Sequence, residues 1–399
     1  KFLSIRQYFP FFLLFFVVVW PVHIQAKFSL GVDYLEETKF GILKGKKVGL
    51  LTHPAGVNSK GVSTVDVLRR TSQVDLVALF GPEHGIYGNE KAAVPVDDKI
   101  DEKTGLPVFS LYGKFRKPTA EMLSKIDCLV IDLQDVGVRC YTYISCMRYA
   151  MEACFEEGVK VVILDRPNPL GGLKMAGPMI DEEWMSYVGA FPMPFVHAMT
   201  IGEIALWSKK ERGILKVSEK VRKAGELAIV PMKNWKRATT WPQTGLKWIP
   251  TSQMGKFKHG IGTSKPFRFL TYGNKTPTEL KTELDQIGIG GLEFKLMSLV
   301  NSSGKKVEGV YIVLKDWNDW DPTELAFHMM KLSAKWESPS PFTQAKESEI
   351  TLFNKHVGST LWWDHLADEG PNCDVQGFLS SWDKQVEIFR DRTQKYYLY

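Results

Sequence analysis

Five cysteines in 399 residues, with no Cys-x-x-Cys pair among them, are too few for a disulfide scaffold. Cys128 lies inside an apolar run and reads as a buried thiol. Cys140, Cys146 and Cys154 follow one another at six and eight residues, poor disulfide geometry for a single helix, so mostly free thiols are expected. Phosphate-binding loops are missing as well. No Gly-x-Gly-x-x-Gly follows the first strand candidate and no Walker-type glycine loop occurs, so no nucleotide or other cofactor is expected. The Gly-x-Ser-x-Gly elbow of serine hydrolases is absent. A metal would have to recruit His53, His84, His197 and nearby aspartates, but no His-x-His, His-x-x-x-His or His-Glu-x-x-His spacing supports one, and no metal is expected.

Neither sign of charge dominates. The net charge is +6, and without residues 1–26, which carry Lys1 and Arg6 and no acid, it is 49 minus 45, or +4. That is too weak and scattered to bind nucleic acid. Apolar runs long enough to span a bilayer are also lacking beyond the first 26 residues. Those 26 combine a basic start, an apolar run at 9–20 and a small residue, Ala26, before Lys27, the pattern of a secretory signal peptide. The expectation is a secreted bacterial protein, periplasmic or extracellular, with no stable membrane insertion after cleavage. An uncleaved anchor is the alternative.

What is present is ample material for buried cores, 44% hydrophobic and 12% aromatic residues, and two domains are expected. Over 27–235, short Val/Ile/Leu runs at 47–52, 74–80, 108–111, 128–133, 160–164 and 227–230 alternate with helical patterns at 63–71, 119–125 and 141–157. This predicts an α/β domain with a Rossmann-like parallel sheet, because strands buried on both faces read as continuous apolar runs. An α+β arrangement of the same elements is the alternative. From 236 to 399 a Trp/Gly/Pro/Lys-rich loop zone leads to a helix at 277–287, a strand pair at 293–297 and 309–314, a helix at 322–335 and a helical tail. These predict a smaller α+β domain that completes the cleft.

The polar residues sit where parallel strands end. Thr52-His53-Pro54-Ala55-Gly56, Gly81-Pro82-Glu83-His84-Gly85, Asp132-Leu133-Gln134-Asp135-Val136-Gly137 and Asp165-Arg166-Pro167-Asn168-Pro169 each follow a strand candidate. Any one of them could be a cap or a turn. Four on one edge predict a shared site in the crevice at the carboxyl ends of the strands. Glu83, on a turn stiffened by Pro82 and flanked by glycines, is placed to give a proton to a leaving oxygen, with His84 beside it. Pairing of Glu83 with Arg139 or Arg166 is the structural alternative. Carboxylates, arginines and aromatic rings together fit a hydrolase of a neutral or carboxylated sugar.

These runs, with Tyr141-Thr142-Tyr143-Ile144, Leu170-Gly171-Gly172 and His197-Ala198-Met199-Thr200-Ile201-Gly202-Glu203, resemble the DUF1343 family, which includes the NamZ-type exo-β-N-acetylmuramidases. The likeness spans nearly the whole chain after residue 26. It implies a Rossmann-like domain joined to a smaller one and exo-lytic release of N-acetylmuramic acid from the non-reducing end of peptidoglycan-derived muramyl glycans. It carries the family's presumed catalytic glutamate onto Glu83. His84, Asp132 and Asp135 are further catalytic candidates, and His53, Gln134, Arg139, Tyr143, Arg166, Asn168, His197 and Glu203 are substrate-binding candidates. Arg139 or Arg166 is expected to face the cleft and fork a lactyl carboxylate. Asp132, Asp135 and Glu203 are the options for a second carboxylate. One departure stands out. After Thr244-Gly245-Leu246-Lys247-Trp248 the family's Glu-Gly-Thr-Asn run is replaced by a short basic stretch with Lys256 and Lys258. A catalytically weak sugar-binding paralogue and a hydrolase of another amino-sugar glycoside are therefore the competing expectations.

Overall fold

A computed structural model describes residues 28–88, 98–246, 260, 263–265 and 268–399. The signal-like segment 1–26, Lys256 and Lys258 lie outside the described residues. Seven strands form the main sheet: β1 (Lys47–Thr52), β2 (Asp75–Gly81), β3 (Lys99–Ile100), β4 (Pro107–Ser110), β5 (Cys128–Asp132), β6 (Lys160–Leu164) and β7 (Leu227–Val230). Their order is β3-β4-β2-β1-β5-β6-β7, and every neighbouring pair is parallel except the edge pair β3-β4.

All five residues of β5 are buried, because the strand feeds two cores. Cys128 and Val130 point into one, with Leu50, Val67 and Leu164, and Leu129 and Ile131 point into the other, with Phe80, Met147 and Trp207. Helices α1 (Gly31–Glu37) and α2 (Thr64–Arg69) cover the first face. Helices α3 (Ala120–Leu123), α4 (Thr142–Glu156) and α5 (Ile201–Lys210) cover the second, with α6 (Glu219–Ala224) packed against α4. The chain runs outward from β1 through β2 to β4, then returns to the other side of β1 as β5. The strand order therefore reverses between β1 and β5, where a doubly wound sheet opens a crevice.

After the short helix α7 (Trp241–Thr244) a second sheet, β8-β10-β9, is antiparallel: β8 (Phe269–Leu270), β9 (Leu292–Val300) and β10 (Lys306–Leu314). Helix α8 (Pro277–Ile287) buries Leu280 and Leu284 against it. Helices α9 (Glu324–Trp336), α10 (Glu347–Val357), α11 (Leu361–Asp368) and α12 (Val375–Ser380) gather around Trp362 and Phe378. The expected helical tail is thus several separate helices. Its last one, α13 (Asp383–Thr393), returns to the α/β domain and places Trp382, Val386 and Phe389 in the core beside Trp207. All five cysteines are free. No helix among the described residues is long and apolar enough to cross a membrane.

Candidate active site

Because β2, β1 and β5 are parallel and adjacent, with Leu51 beside Phe80 and Thr52 beside Asp132, the turns after all three emerge at one edge. The turn after β2 carries Glu83. Gly85 N–H donates to Pro82 O at 2.9 Å, and both His84 and Gly85 adopt φ of +71°, the left-handed region where a non-glycine residue such as His84 is uncommon. Glu83 is half-buried and is fixed from the first turn of α4. Thr142 Oγ1 donates to its Oε2 at 3.1 Å, and the Tyr143 hydroxyl donates to its backbone carbonyl at 3.2 Å.

Tyr143 links Glu83 to the switch point. Its ring meets His53 edge to face, 4.7 Å between centroids, and packs 4.6 Å from Tyr141. His53 Nε2 accepts from Gln134 N–H at 2.9 Å across the β1–β5 boundary, which assigns the proton to Nδ1. Burial, reinforced by the Arg166 charge, holds the His53 pKa well below the usual imidazole range, so the ring is neutral. Burial also pushes the Tyr143 pKa up.

Asp132 is fully buried and its carboxylate is occupied. Arg166 Nε and Nη2 grip its two oxygens at 2.5 and 2.9 Å, and Thr64 Oγ1 donates to it as well. Asp135 differs. Its Oδ2 accepts from Gly137 N–H at 2.7 Å and lies 3.2 Å from His197 Nε2, while its Oδ1 is buried without a hydrogen-bond partner among the described residues. Gln134 donates from Nε2 to Asp135 O and Pro167 O, and its Oε1 likewise has no partner among the described residues. A buried acceptor left unpaired costs about 1–3 kcal/mol, so either oxygen would gain by taking a hydrogen bond from a hydroxyl or amide donor. The loop must have Gly137: its φ is +87°, and a Cβ there would fall 2.5 Å from Asn168 Oδ1.

Several candidates do other work. Arg139 is corrected: it is fully buried, with Nη1 donating to the carbonyls of Pro178 and Met193 at 2.8 Å and Nη2 to Val357 O at 2.5 Å. It crosses to α10 instead of facing the cleft, and burial lowers its pKa to about 10. Arg166 spends Nε and Nη2 on Asp132, and Nη2 also on Val57 O. Glu203 caps α5 with Thr200, pairs with Arg237 at 2.8 Å and accepts Leu398 N–H at 2.9 Å, a structural position for an expected second carboxylate. Asn168 uses its amide on Met199 O and Leu170 N–H to shape the loop.

Sequence reading overlooked Tyr112, Arg116 and Tyr187. The Arg116 guanidinium lies 4.2 Å from the Tyr112 ring centroid and 4.3 Å from that of Tyr187. Burial pushes the Tyr112 pKa up, and its hydroxyl interacts with both Arg116 and the Glu83 carboxylate. The signal was available, since residues 112–116 follow β4 as the other site loops follow their strands, but this loop has no Asp, Asn or His to flag it. Among the described residues no three of His, Cys, Asp and Glu converge to hold a metal ion.

Two family models described as exo-beta-N-acetylmuramidase NamZ, N-terminal and C-terminal, match residues 48–256 and 252–399. The chain is 35% identical over 397 residues to the peptidoglycan beta-N-acetylmuramidase NamZ of Bacillus subtilis (strain 168), covering 94% of this chain and 92% of that protein. It is similar to the crystal structure of a DUF1343 family protein from Bacteroides fragilis NCTC 9343, at TM-score 0.81 and 35% identity, covering 94% of this chain and 99% of that one. A second DUF1343 protein of the same strain matches at TM-score 0.64 and 25% identity over the same shares. With both halves of the family matched in order along its length, the chain belongs to the exo-β-N-acetylmuramidase NamZ family.

Proposed function

We propose that this protein is an exo-acting glycoside hydrolase that releases N-acetylmuramic acid from the non-reducing end of peptidoglycan fragments, with Glu83 as general acid. The observation that carries the reading is the placement of Glu83. It is held by Thr142 and Tyr143 on a strand-end turn, half-exposed, beside tyrosines suited to a sugar face, while Asp132 and Glu203 are committed to arginines. Asp135, with one oxygen uncommitted, is the second carboxylate best suited to polarise the reacting sugar or its acetamido group. The apolar run and basic start of residues 1–26 support delivery of the enzyme outside the cytoplasmic membrane, where this substrate lies.

The test is incubation of the purified protein with a chromogenic β-N-acetylmuramide beside the matching N-acetylglucosaminide. Turnover of the muramide in clear preference to the glucosaminide is expected. Preference for the glucosaminide would reassign the enzyme to another amino sugar. Binding of muramyl sugars with turnover of neither substrate would make the chain a sugar-binding paralogue.

A further inference from the structure

N-acetylmuramic acid differs from N-acetylglucosamine by a lactyl ether that ends in a carboxylate, so a muramyl-specific site needs a cation within one sugar ring of its general acid. Arg139 and Arg166 are both buried, Arg139 with its two Nη groups spent on backbone carbonyls and Arg166 with Nε and Nη2 spent on Asp132. We propose that Arg116 is the specificity-determining residue that receives this carboxylate. The inference rests on the muramidase reading and names the group that makes the site selective.

Three observations converge on Arg116. It is exposed, and among the described residues no carboxylate forms an ion pair with it, whereas its neighbour Lys117 pairs with Glu156. Its guanidinium is nevertheless fixed, lodged in the corner between two tyrosine rings whose centroids are 6.1 Å apart. A guanidinium that meets aromatic rings keeps N–H groups at its in-plane edge, and those not taken by the Tyr112 hydroxyl can fork a carboxylate, with part of the entropy of ordering a long side chain lost before the ligand arrives. Finally, Tyr112 touches both Arg116 and Glu83, which sets the cation next to the general acid. A sugar with C1 at Glu83 therefore has its ring substituents within reach of the Tyr112–Arg116–Tyr187 corner.

Binding calorimetry separates this role from simple support of Glu83. N-acetylmuramic acid and its lactyl methyl ester are titrated into the wild-type protein, Arg116→Ala and Arg116→Lys, with thermal melts confirming that each variant is folded. Wild type is expected to prefer the acid over the ester by about 10- to 100-fold, the range for a charged hydrogen-bonded pair. Arg116→Ala is expected to collapse that ratio to within about threefold, and Arg116→Lys to restore part of it. Equal weakening of acid and ester in Arg116→Ala, or no preference in the wild type, overturns the proposal. Turnover plays no part in this readout. A protein that binds the acid through Arg116 but cleaves nothing fails as a muramidase and keeps this inference. A muramidase whose acid-to-ester ratio ignores Arg116 does the reverse.

Discussion

Burial decides what an arginine in this molecule can do. The fully buried Arg139 satisfies three backbone carbonyls from separate segments with the fork of one guanidinium, a geometry that a lysine ammonium cannot copy. Arg139→Lys is therefore expected to destabilise the protein by about 2–4 kcal/mol, read as a lower melting temperature, while leaving the acid-to-ester preference intact. A changed preference with unchanged stability would return Arg139 to the cleft. Glu83 stands at the other extreme, half-exposed and oriented by neighbours. Glu83→Gln keeps the shape and the hydrogen bond from Thr142 but has no proton to give, so turnover of a natural muramyl disaccharide should fall by about 10² to 10⁴. The loss should shrink on a nitrophenyl glycoside, whose leaving group needs little protonation. Wild-type turnover by Glu83→Gln would move the acid role to Asp135. That Glu83 and His53 stand on turns at strand ends was legible in the sequence because Gly and Pro frame them. That Asp132 and Arg166 grip one another was not, because they lie 34 residues apart and meet only once β5 and β6 are placed side by side.

Helix α5 shows how a motif can hide an element. The run from Thr200 to Glu203 reads as site chemistry in the sequence, yet in the structure it is a capping box: Thr200 Oγ1 accepts from Glu203 N–H, and Glu203 accepts from Thr200 N–H. The parallel strands were easier to read, since burial on both faces leaves unbroken apolar runs. Beside the α5 cap, Asp165 at the end of β6 accepts from Thr200 Oγ1, Gly202 N–H, Arg166 N–H and the Tyr399 hydroxyl. Burial, then the Glu203 charge, pushes its pKa up to about 7 against the pull of these donors. A carboxyl whose folded pKa lies above its unfolded value of 3.8 binds its proton more tightly when folded. Its contribution is complete below about pH 4 and is lost as pH rises to about 7, a span of at most about 4 kcal/mol. Thermal melts between pH 4 and 8 should show this fall in the wild type and lack it in Asp165→Asn. Tyr399→Phe removes one donor to the carboxylate. It should raise the window further and cost about 1–2 kcal/mol above pH 7.

The two domains are less separable than their sequences suggest. A change of composition near residue 235 marks where the parallel sheet ends, and the amphipathic pattern of the tail shows that it buries a face, but periodicity does not say against what. The structure does. Phe389 meets Trp207 edge to face at 5.4 Å, and Trp382 and Val386 join the same core. The segment after α13 then lies over the edge of the α/β domain, with Tyr397 3.6 Å above the Arg237 guanidinium and the Tyr399 ring 5.2 Å from Trp235. Arg139 ties the same domain to Val357. Burying Trp382, Val386 and Phe389 contributes about 1.5–3 kcal/mol each, a sum comparable with the whole net stability of a domain. A fragment of residues 28–246 keeps the complete sheet and the Glu83 turn but loses these side chains and exposes Trp207. It is therefore expected to lack a cooperative melt and near-ultraviolet circular dichroism, while the full chain retains both. Adding a separate peptide of residues 381–399 should restore part of the signal by filling the same groove. A fragment that melts cooperatively within about 5 °C of the full chain would show that α13 contributes little, since a loss of even 1 kcal/mol shifts a domain of this size by roughly 2–4 °C.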